Sequence, residues 1–245
     1  GKSSLHPIEG VTDPKFTGPK SGTKEKWEFL DEDKKYSWIK SPTFKGKTAE
    51  VGPLAKYIVV YTKVKQGIIK DPTWAESMIV RQIDTVSQVL GVPAHVWMTT
   101  MDAQVATNMS QYFFNKLVAN IKNGDTTVAD TTKFEPNTWD KDAKGVGLVD
   151  APRGGLGHWI HIKDGRSANY QCIVPSTWNA CPKTAANEHG AYEDSMIDTH
   201  VKIADKPLEI LKVIHSFDPC LACATHLYNK KGEKIVSVNT DALCK

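Results

Sequence analysis

The sequence predicts a mixed fold that is mainly α-helical, with a multihelical core and a small irregular β region, an α+β arrangement. Two stretches, residues 71–124 and 205–218, repeat apolar side chains at helical spacing. A third stretch, residues 145–179, is rich in β-branched and aromatic side chains and contains the turn dipeptide Asp164-Gly165. With 245 residues, the chain is long enough to bury a sizeable core.

The first helix is expected to begin at Asp71-Pro72, an N-cap followed by proline, and to end before Gly91 and Pro93. A second helix is expected to begin near Thr99, with Asp102 as a capping partner, and to end at Gly124. Its apolar face comprises Val105, Met109, Phe113, Leu117 and Ile121. Together the two helices are predicted to form a helical hairpin at the core.

The β region is predicted to contain strands near residues 155–163 and 167–174. Further helices are expected over about 186–197 and from Asp205, the latter with Leu208, Leu211 and Ile214 facing inward. The last helix must end at Asp218, because a residue before proline is disfavoured in the α region. Beyond it, YNKKGEKIVSVN is typical of a small polar hairpin.

Composition excludes some classes of function. The net charge of +3 and the pI near 8.5 are only mildly basic, and no dense Lys/Arg block is interleaved with aromatics, so a nucleic-acid partner is not expected. No apolar run approaches the roughly 20 residues that a membrane span needs. The chain begins with Gly1 inside a loop-like segment, from which we expect that an N-terminal portion is missing or has been removed.

The segment FDPCLACATH, residues 217–226, concentrates the chemistry of the chain. A Cys-x-x-Cys turn lets Cys220 and Cys223 direct two thiolates at one centre, which suits structural zinc, another soft-metal site or a redox dithiol. His226 extends the set to Cys-x-x-Cys-x-x-His. A closed zinc site needs four ligands, and Cys172 and Cys181 could in principle add thiolates from elsewhere. A zinc-binding or purely structural module therefore stays open at this point.

The same segment resembles the C-terminal signature of the large subunit of nickel–iron hydrogenases, Asp-Pro-Cys-x-x-Cys-x-x-His. Five further segments resemble that family in its own order, and they look most like the membrane-associated uptake type. They are EVGPLAK (50–56), APRGGLGHWI (151–160), NYQCIVPSTWN (169–179), GAYEDSMID (190–198) and KPLEILKVIHSFDPC (206–220). The resemblance covers nearly the whole chain and implies a large-subunit-like fold and reversible oxidation of H₂.

The resemblance also implies an active site of nickel and iron, the iron carrying carbon monoxide and cyanide. Cys220 would be a terminal nickel ligand and Cys223 a bridge between the metals. The family's other two cysteines lie in an N-terminal Arg-x-Cys-Gly-x-Cys motif, which this sequence lacks. A terminal thiolate can also accept a proton beside the metal, so Cys220 would be catalytic.

Other residues receive roles from the same resemblance. Arg153 would lie over the metals and be catalytic, and Asp218 would orient it through a charge-assisted hydrogen bond. Pro152 and Ser176 would line the pocket of the diatomic ligands. A magnesium ion would bind His226 and the backbone carbonyl of Cys172.

The implied partners are an iron–sulfur small subunit, a membrane cytochrome b, a nickel chaperone and a maturation protease. The enzyme would be membrane-associated at the periplasmic face, through its partner subunit. In this family the chain is cut after the signature histidine, so the cut is expected between His226 and Leu227. Residues 1–226 would then belong to the large subunit and 227–245 would be a removable propeptide.

Overall fold

The computed structural model describes Pro7, Ser37, residues 39–70, Ile83 and 90–219, and the backbone of 225–228 and 234–238. Its helices are α1 (Pro53–Lys65), α2 (Val92–Lys122), α3 (Pro175–Asn179), α4 (Ala191–Met196) and α5 (Leu208–Ser216). Its strands are β1 (Asp142–Ala151), β2 (Gly154–Lys163), β3 (Arg166–Ile173), β4 (Thr225–Tyr228) and β5 (Lys234–Val238). Helices and strands together confirm the predicted mixed α/β class. Two compact units are built around residues 51–172 and around 39–50 with 173–219.

The core of the first unit lies between α1 and α2, a pairing that the sequence did not predict because α1 was missed. Pro53 occupies the first turn of α1, where its missing N–H is not needed. Leu54, Tyr57 and Tyr61 follow at steps of three and four and are buried. Met98 of α2 is fully buried in the same cluster. The predicted first helix lies outside the described residues except for Ile83, which is buried in this core, and Leu90, which is exposed.

Helix α2 corrects two predictions. It begins at Val92, seven positions before the predicted start at Thr99, because Pro93 sits in its first turn and initiates the helix rather than ending the previous one. Asp102 is not a cap: its carboxylate accepts hydrogen bonds from Lys56 and Tyr57 on α1. The sequence pattern predicted a capping contact within one helix, whereas Asp102 makes a contact between two helices.

The predicted apolar face of α2 is buried only at its beginning. Val105 is buried, whereas Met109, Phe113, Leu117 and Ile121 are 38–56% exposed. The reason is length, since α1 has 13 residues and α2 has 31. At 1.5 Å per residue, α2 extends roughly 25 Å beyond what α1 can cover.

A three-stranded sheet follows, in the order β1-β2-β3. Strands β2 and β3 confirm the predicted pair, and Asp164-Gly165 joins them with positive φ at both residues, as a two-residue hairpin turn requires. Strand β1 was not predicted. It pairs antiparallel with β2 from Asp142↔Lys163 to Ala151↔Gly154.

The second unit contains the short helices α3, α4 and α5. The helix predicted over 186–197 is shorter, Ala191–Met196, and the helix predicted from Asp205 begins at Leu208. Leu208 is 56% exposed rather than inward-facing, and Val213 is buried instead. The helix was predicted to end at Asp218, and it ends slightly earlier, at Ser216 with Phe217 as its C-cap. In the described part of the chain, no helix combines the length and the apolar character needed to cross a bilayer.

Candidate metal centre

The chain approaches the cysteine pair through the end of α5. Phe217 donates its N–H to the Ile214 carbonyl, and Asp218 donates its N–H to the His215 carbonyl at 3.0 Å. Asp218 has φ 51°, a left-handed conformation that aspartate tolerates better than most residues, and it is half-buried. Pro219 follows and prevents the helix from continuing. Cys220 and Cys223 lie outside the described residues.

Phe217 anchors this helix end. It is 7% exposed and packs on Tyr192 of α4, with 4.9 Å between ring centroids. Pairs of buried aromatic rings at this separation contribute about 0.5–1.5 kcal/mol beyond the area they bury. The residue three positions before Cys220 is therefore fixed to a neighbouring helix.

Cys181 is unsuited to be a metal ligand. It is 1% exposed and lies against Gly190, where an added Cβ would come within 2.7 Å of its sulfur. Burial and the charge of Glu193 raise the pKa of Cys181 to about 11. Because metals bind the thiolate, a thiol that stays protonated at neutral pH favours a packing role.

The other expected pocket residues occupy defined elements. Ser176 lies half-buried in α3, directly after Pro175, and its carbonyl accepts the Ala180 N–H at 2.9 Å. Cys172 lies half-buried in β3. Pro152, Arg153 and Cys172 belong to the first unit, and Ser176 and Asp218 to the second.

Arg153 stands at a tight turn. Strands β1 and β2 pair up to Ala151↔Gly154, so Pro152 and Arg153 alone form the connection. Pro152 is exposed and Arg153 is half-buried. A two-residue connection leaves the backbone little freedom, which suits a side chain that must be aimed.

A polar cluster near this turn was missed by sequence reasoning. Lys56 of α1 places its Nζ 2.5 Å from Asp102 Oδ1 and 3.1 Å from Asp150 Oδ2, and Tyr57 donates its hydroxyl to the same Asp102 oxygen at 2.5 Å. Burial alone would lower the pKa of Lys56, but the hydrogen bonds and charges of both aspartates together raise it. The sequence did offer a signal, since Lys56 ends EVGPLAK and Asp150 lies three residues before Arg153.

His226 and Leu227 lie in β4, where their backbones pair with Ser237 and Val236 of β5. The hairpin predicted for the tail is therefore present, but it begins at Thr225 and includes the bond expected to be cut. Among the residues that the structure describes, no three His, Cys, Asp or Glu side chains group together as a metal site. Cys220 and Cys223, whose soft thiolates suit nickel and iron, lie outside that described part, and their role as metal ligands stays a prediction.

Comparison with known proteins agrees with the resemblance. The family model described as "Nickel-dependent hydrogenase" matches residues 1–226. An uptake hydrogenase large subunit of Rhizobium leguminosarum bv. viciae is 45% identical over 96% of this chain and 39% of its own length. The hydrogenase-1 large chain of Escherichia coli K12 is 41% identical over 95% of this chain and 39% of its own.

A solved structure supports the fold. The reduced, active Ni-Fe-Se hydrogenase of Desulfomicrobium baculatum superposes with a TM-score of 0.56 at 25% identity, covering 76% of this chain and 36% of that one. The chain spans about two fifths of the length of the curated relatives it matches. Because the family model covers residues 1–226, the chain belongs to the nickel-dependent hydrogenase family.

Proposed function

We propose that this chain forms part of the large subunit of a nickel–iron hydrogenase of the uptake type, which oxidises H₂ reversibly to protons and electrons. The observation that carries the proposal is the family match over residues 1–226, together with 45% identity to an uptake hydrogenase large subunit. The 31-residue α2 supports a mainly helical core in that subunit.

The residues fit such a centre by their chemistry. Cys220 and Cys223 would hold nickel and iron as soft thiolate ligands, with carbon monoxide and cyanide completing the iron. When bound, the metals supply the electron-pair acceptor for heterolytic cleavage of H₂. Cys220 takes the proton on its sulfur, as a base beside the metal. Arg153 contributes a fixed positive charge through its planar guanidinium.

Residues around the centre complete the proposal. Pro152 and Ser176 line the pocket of the diatomic ligands, and Asp218 keeps the orienting role that the resemblance gives it. The magnesium ion would use His226 and the Cys172 carbonyl. Electrons would leave through an iron–sulfur small subunit to a membrane cytochrome b, which would hold the enzyme at the periplasmic face of the membrane. A nickel chaperone and a protease would mature the subunit.

Removal of residues 227–245 is part of this proposal. The family match ends at His226, and β4 carries the bond after it. Cutting that bond leaves only Thr225 and His226 of β4 joined to the main chain, which is too short to retain β5, since even an intact two-stranded hairpin is marginal in water. Intact-mass measurement should show that the large subunit of active enzyme ends at His226. Nickel-loaded, competent protein that still ends at Lys245 would contradict the cut.

The function is tested on the assembled enzyme, by hydrogen uptake with an artificial electron acceptor and by metal analysis. We expect nickel, no zinc, and more iron than nickel, because the iron–sulfur small subunit adds its own iron to that of the active site. Arg153→Lys should retain the metals and lose most turnover, because lysine is a flexible point donor without the planar fork. Zinc without nickel or iron would favour the structural module, and full uptake by Arg153→Lys would remove Arg153 from the mechanism.

A further inference from the structure

The turn that carries Arg153 is held by backbone packing on one side. Gly154 is buried with φ 120°, and a Cβ there would lie 2.4 Å from the Gly52 nitrogen and 2.8 Å from the Val51 carbonyl carbon. A Cβ on Gly52 would in turn lie 3.5 Å from the Arg153 carbonyl oxygen. The backbone of Arg153-Gly154 therefore passes directly against the residue that precedes α1.

The same helical turn holds the hairpin a second time through a side chain. Lys56 donates its backbone N–H to the Gly52 carbonyl at 2.9 Å, so the two residues belong to one turn of helix. From there its ammonium reaches Asp150 at 3.1 Å. Asp150 pairs with Gly155 in the ladder, one pair away from the Ala151↔Gly154 pair that closes the Arg153 connection. Gly52 and Lys56 thus fix both flanks of a two-residue turn.

The charges make Lys56 the centre of this arrangement. Its side chain is 26% exposed, and its ammonium contacts the carboxylates of both Asp102 and Asp150 and lies 4.8 Å from the Tyr57 ring centroid. Without the lysine, two like charges would face each other across a half-buried site and repel. Asp150 is the more exposed carboxylate, at 48% against 19%, so it is the one free to move away. Its movement would loosen the turn beside it.

We propose that Lys56, bridging Asp102 and Asp150, is a positioning residue that fixes the turn carrying Arg153. This inference rests on the proposed function, because it assigns Lys56 a role through Arg153. A simple ion pair that only stabilises the α1–α2 packing is the rival explanation. The two differ in whether the effect of Lys56 depends on the side chain at position 153.

The experiment compares Lys56→Met, Asp150→Asn and Lys56→Arg in the assembled hydrogenase. Lys56→Met should lower kcat for hydrogen uptake by about tenfold or more, because misplacing a catalytic group by about 1 Å can cost up to a hundredfold. Nickel content and KM for H₂ should not change. Lys56→Arg should restore most of the rate, since its guanidinium keeps the charge. Lys63→Met, an exposed lysine on the same helix, is the matched control and should behave as wild type.

A double variant separates positioning from stability. In an Arg153→Lys background, Lys56→Met should cost less than about twofold further, because residues acting through one another are non-additive. Amide hydrogen exchange of residues 150–156, measured by mass spectrometry, should accelerate in Lys56→Met and in Asp150→Asn but not in Lys63→Met. If Lys56→Met fails to fold, the double-variant kinetics and the amide exchange are measured with Asp150→Asn instead.

Three outcomes overturn the inference: wild-type kcat in Lys56→Met, fully multiplicative losses in the double variant, or unchanged exchange at residues 150–156. Failure of the proposed function is distinguishable, because wild-type protein would then lack hydrogen uptake and nickel. In that case the exchange measurement still decides whether Lys56 fixes the turn.

Discussion

The β1–β2 hairpin is held differently at its two ends. At the Arg153 end, Gly154 is buried against Gly52, and Asp150 is bound by Lys56. At the far end, Asp142 is 62% exposed, and in the following turn a Cβ added to Gly165 would make only ordinary contacts, 3.8–3.9 Å from Pro136. The antiparallel pairing of β1 with β2 is continuous from one end to the other. The hairpin is therefore held by contacts outside the ladder at the end that carries a candidate catalytic side chain. Four substitutions test this difference.

The largest effect is expected from Gly154→Ala. Its φ of 120° is unfavourable for alanine, and the new methyl group would meet backbone atoms 2.4–2.9 Å away, which cannot move aside as a side chain can. Strain and overpacking together should lower the free energy of unfolding by roughly 3 kcal/mol or more. Calorimetry of the purified protein measures this loss. A loss of unfolding free energy smaller than that caused by Gly165→Ala would show that the close contact at Gly154 is unimportant.

Lys56→Met should have the next largest effect, and it should depend on pH. At neutral pH the loss of a half-buried lysine bound by two carboxylates should be about 1–2 kcal/mol. Because the folded state raises the pKa of Lys56, its contribution is fully present below about pH 10.4 and is lost as the pH rises through the folded-state value.

Denaturant unfolding of both proteins between pH 7 and 11.5 checks this dependence. The difference in stability between wild type and Lys56→Met should be constant up to about pH 10 and then shrink. Lys63→Met provides the control, and its difference from wild type should stay near zero throughout. A gap that grows with alkaline pH would mean that the sign assigned to the Lys56 interaction is wrong.

The sequence predicted the parts of this fold that depend on near neighbours. Asp164-Gly165 specified its turn because two positive φ values favour those residue types. Strand β1 escaped detection, because its lysine and glycines have little strand preference and its pairing with β2 holds it. The predicted start of α2 is wrong because Gly91 and Pro93 are typical of a helix end, but proline is equally suited to the first turn of a helix, where Pro93 lies.

The candidate site shows the same division. Cys220, Cys223, Arg153 and Asp218 were recognisable as short motifs, and those assignments remain predictions. The contact of Lys56 with Asp102 and Asp150 was not predictable, because it joins two helices and a strand that only folding brings together. Periodicity shows which face is apolar but not which charged partner a side chain meets. The roles of residues that position a catalytic side chain are therefore the hardest to predict from one sequence.

A smaller effect is expected from Gly165→Ala, the matched partner of Gly154→Ala at the far end. Its φ is 72°, so alanine is strained there, but the nearest atom to a new Cβ is 3.8 Å away. The cost should be that of a left-handed backbone alone, about 1 kcal/mol. Thermal unfolding should therefore separate the two variants clearly, with hydrogen uptake unchanged in Gly165→Ala. Equal losses of stability in the two variants would show that the two ends of the hairpin are held equally firmly.

The smallest effect is expected from Asp142→Asn. Asp142 Oδ1 lies 2.8 Å from His161 Nε2, and that hydrogen bond lowers the pKa of Asp142, but both groups meet solvent. Exposed pairs of this kind are screened by water and salt, and asparagine retains an oxygen that can accept the bond. The contribution of Asp142 is present above its ordinary pKa and is lost only in acid, so neutral pH is the place to measure it. The unfolding midpoint and the exchange of residues 150–156 should match wild type between pH 6 and 8. A midpoint lowered as far as in Lys56→Met would mean that the far end is held as firmly as the Arg153 turn.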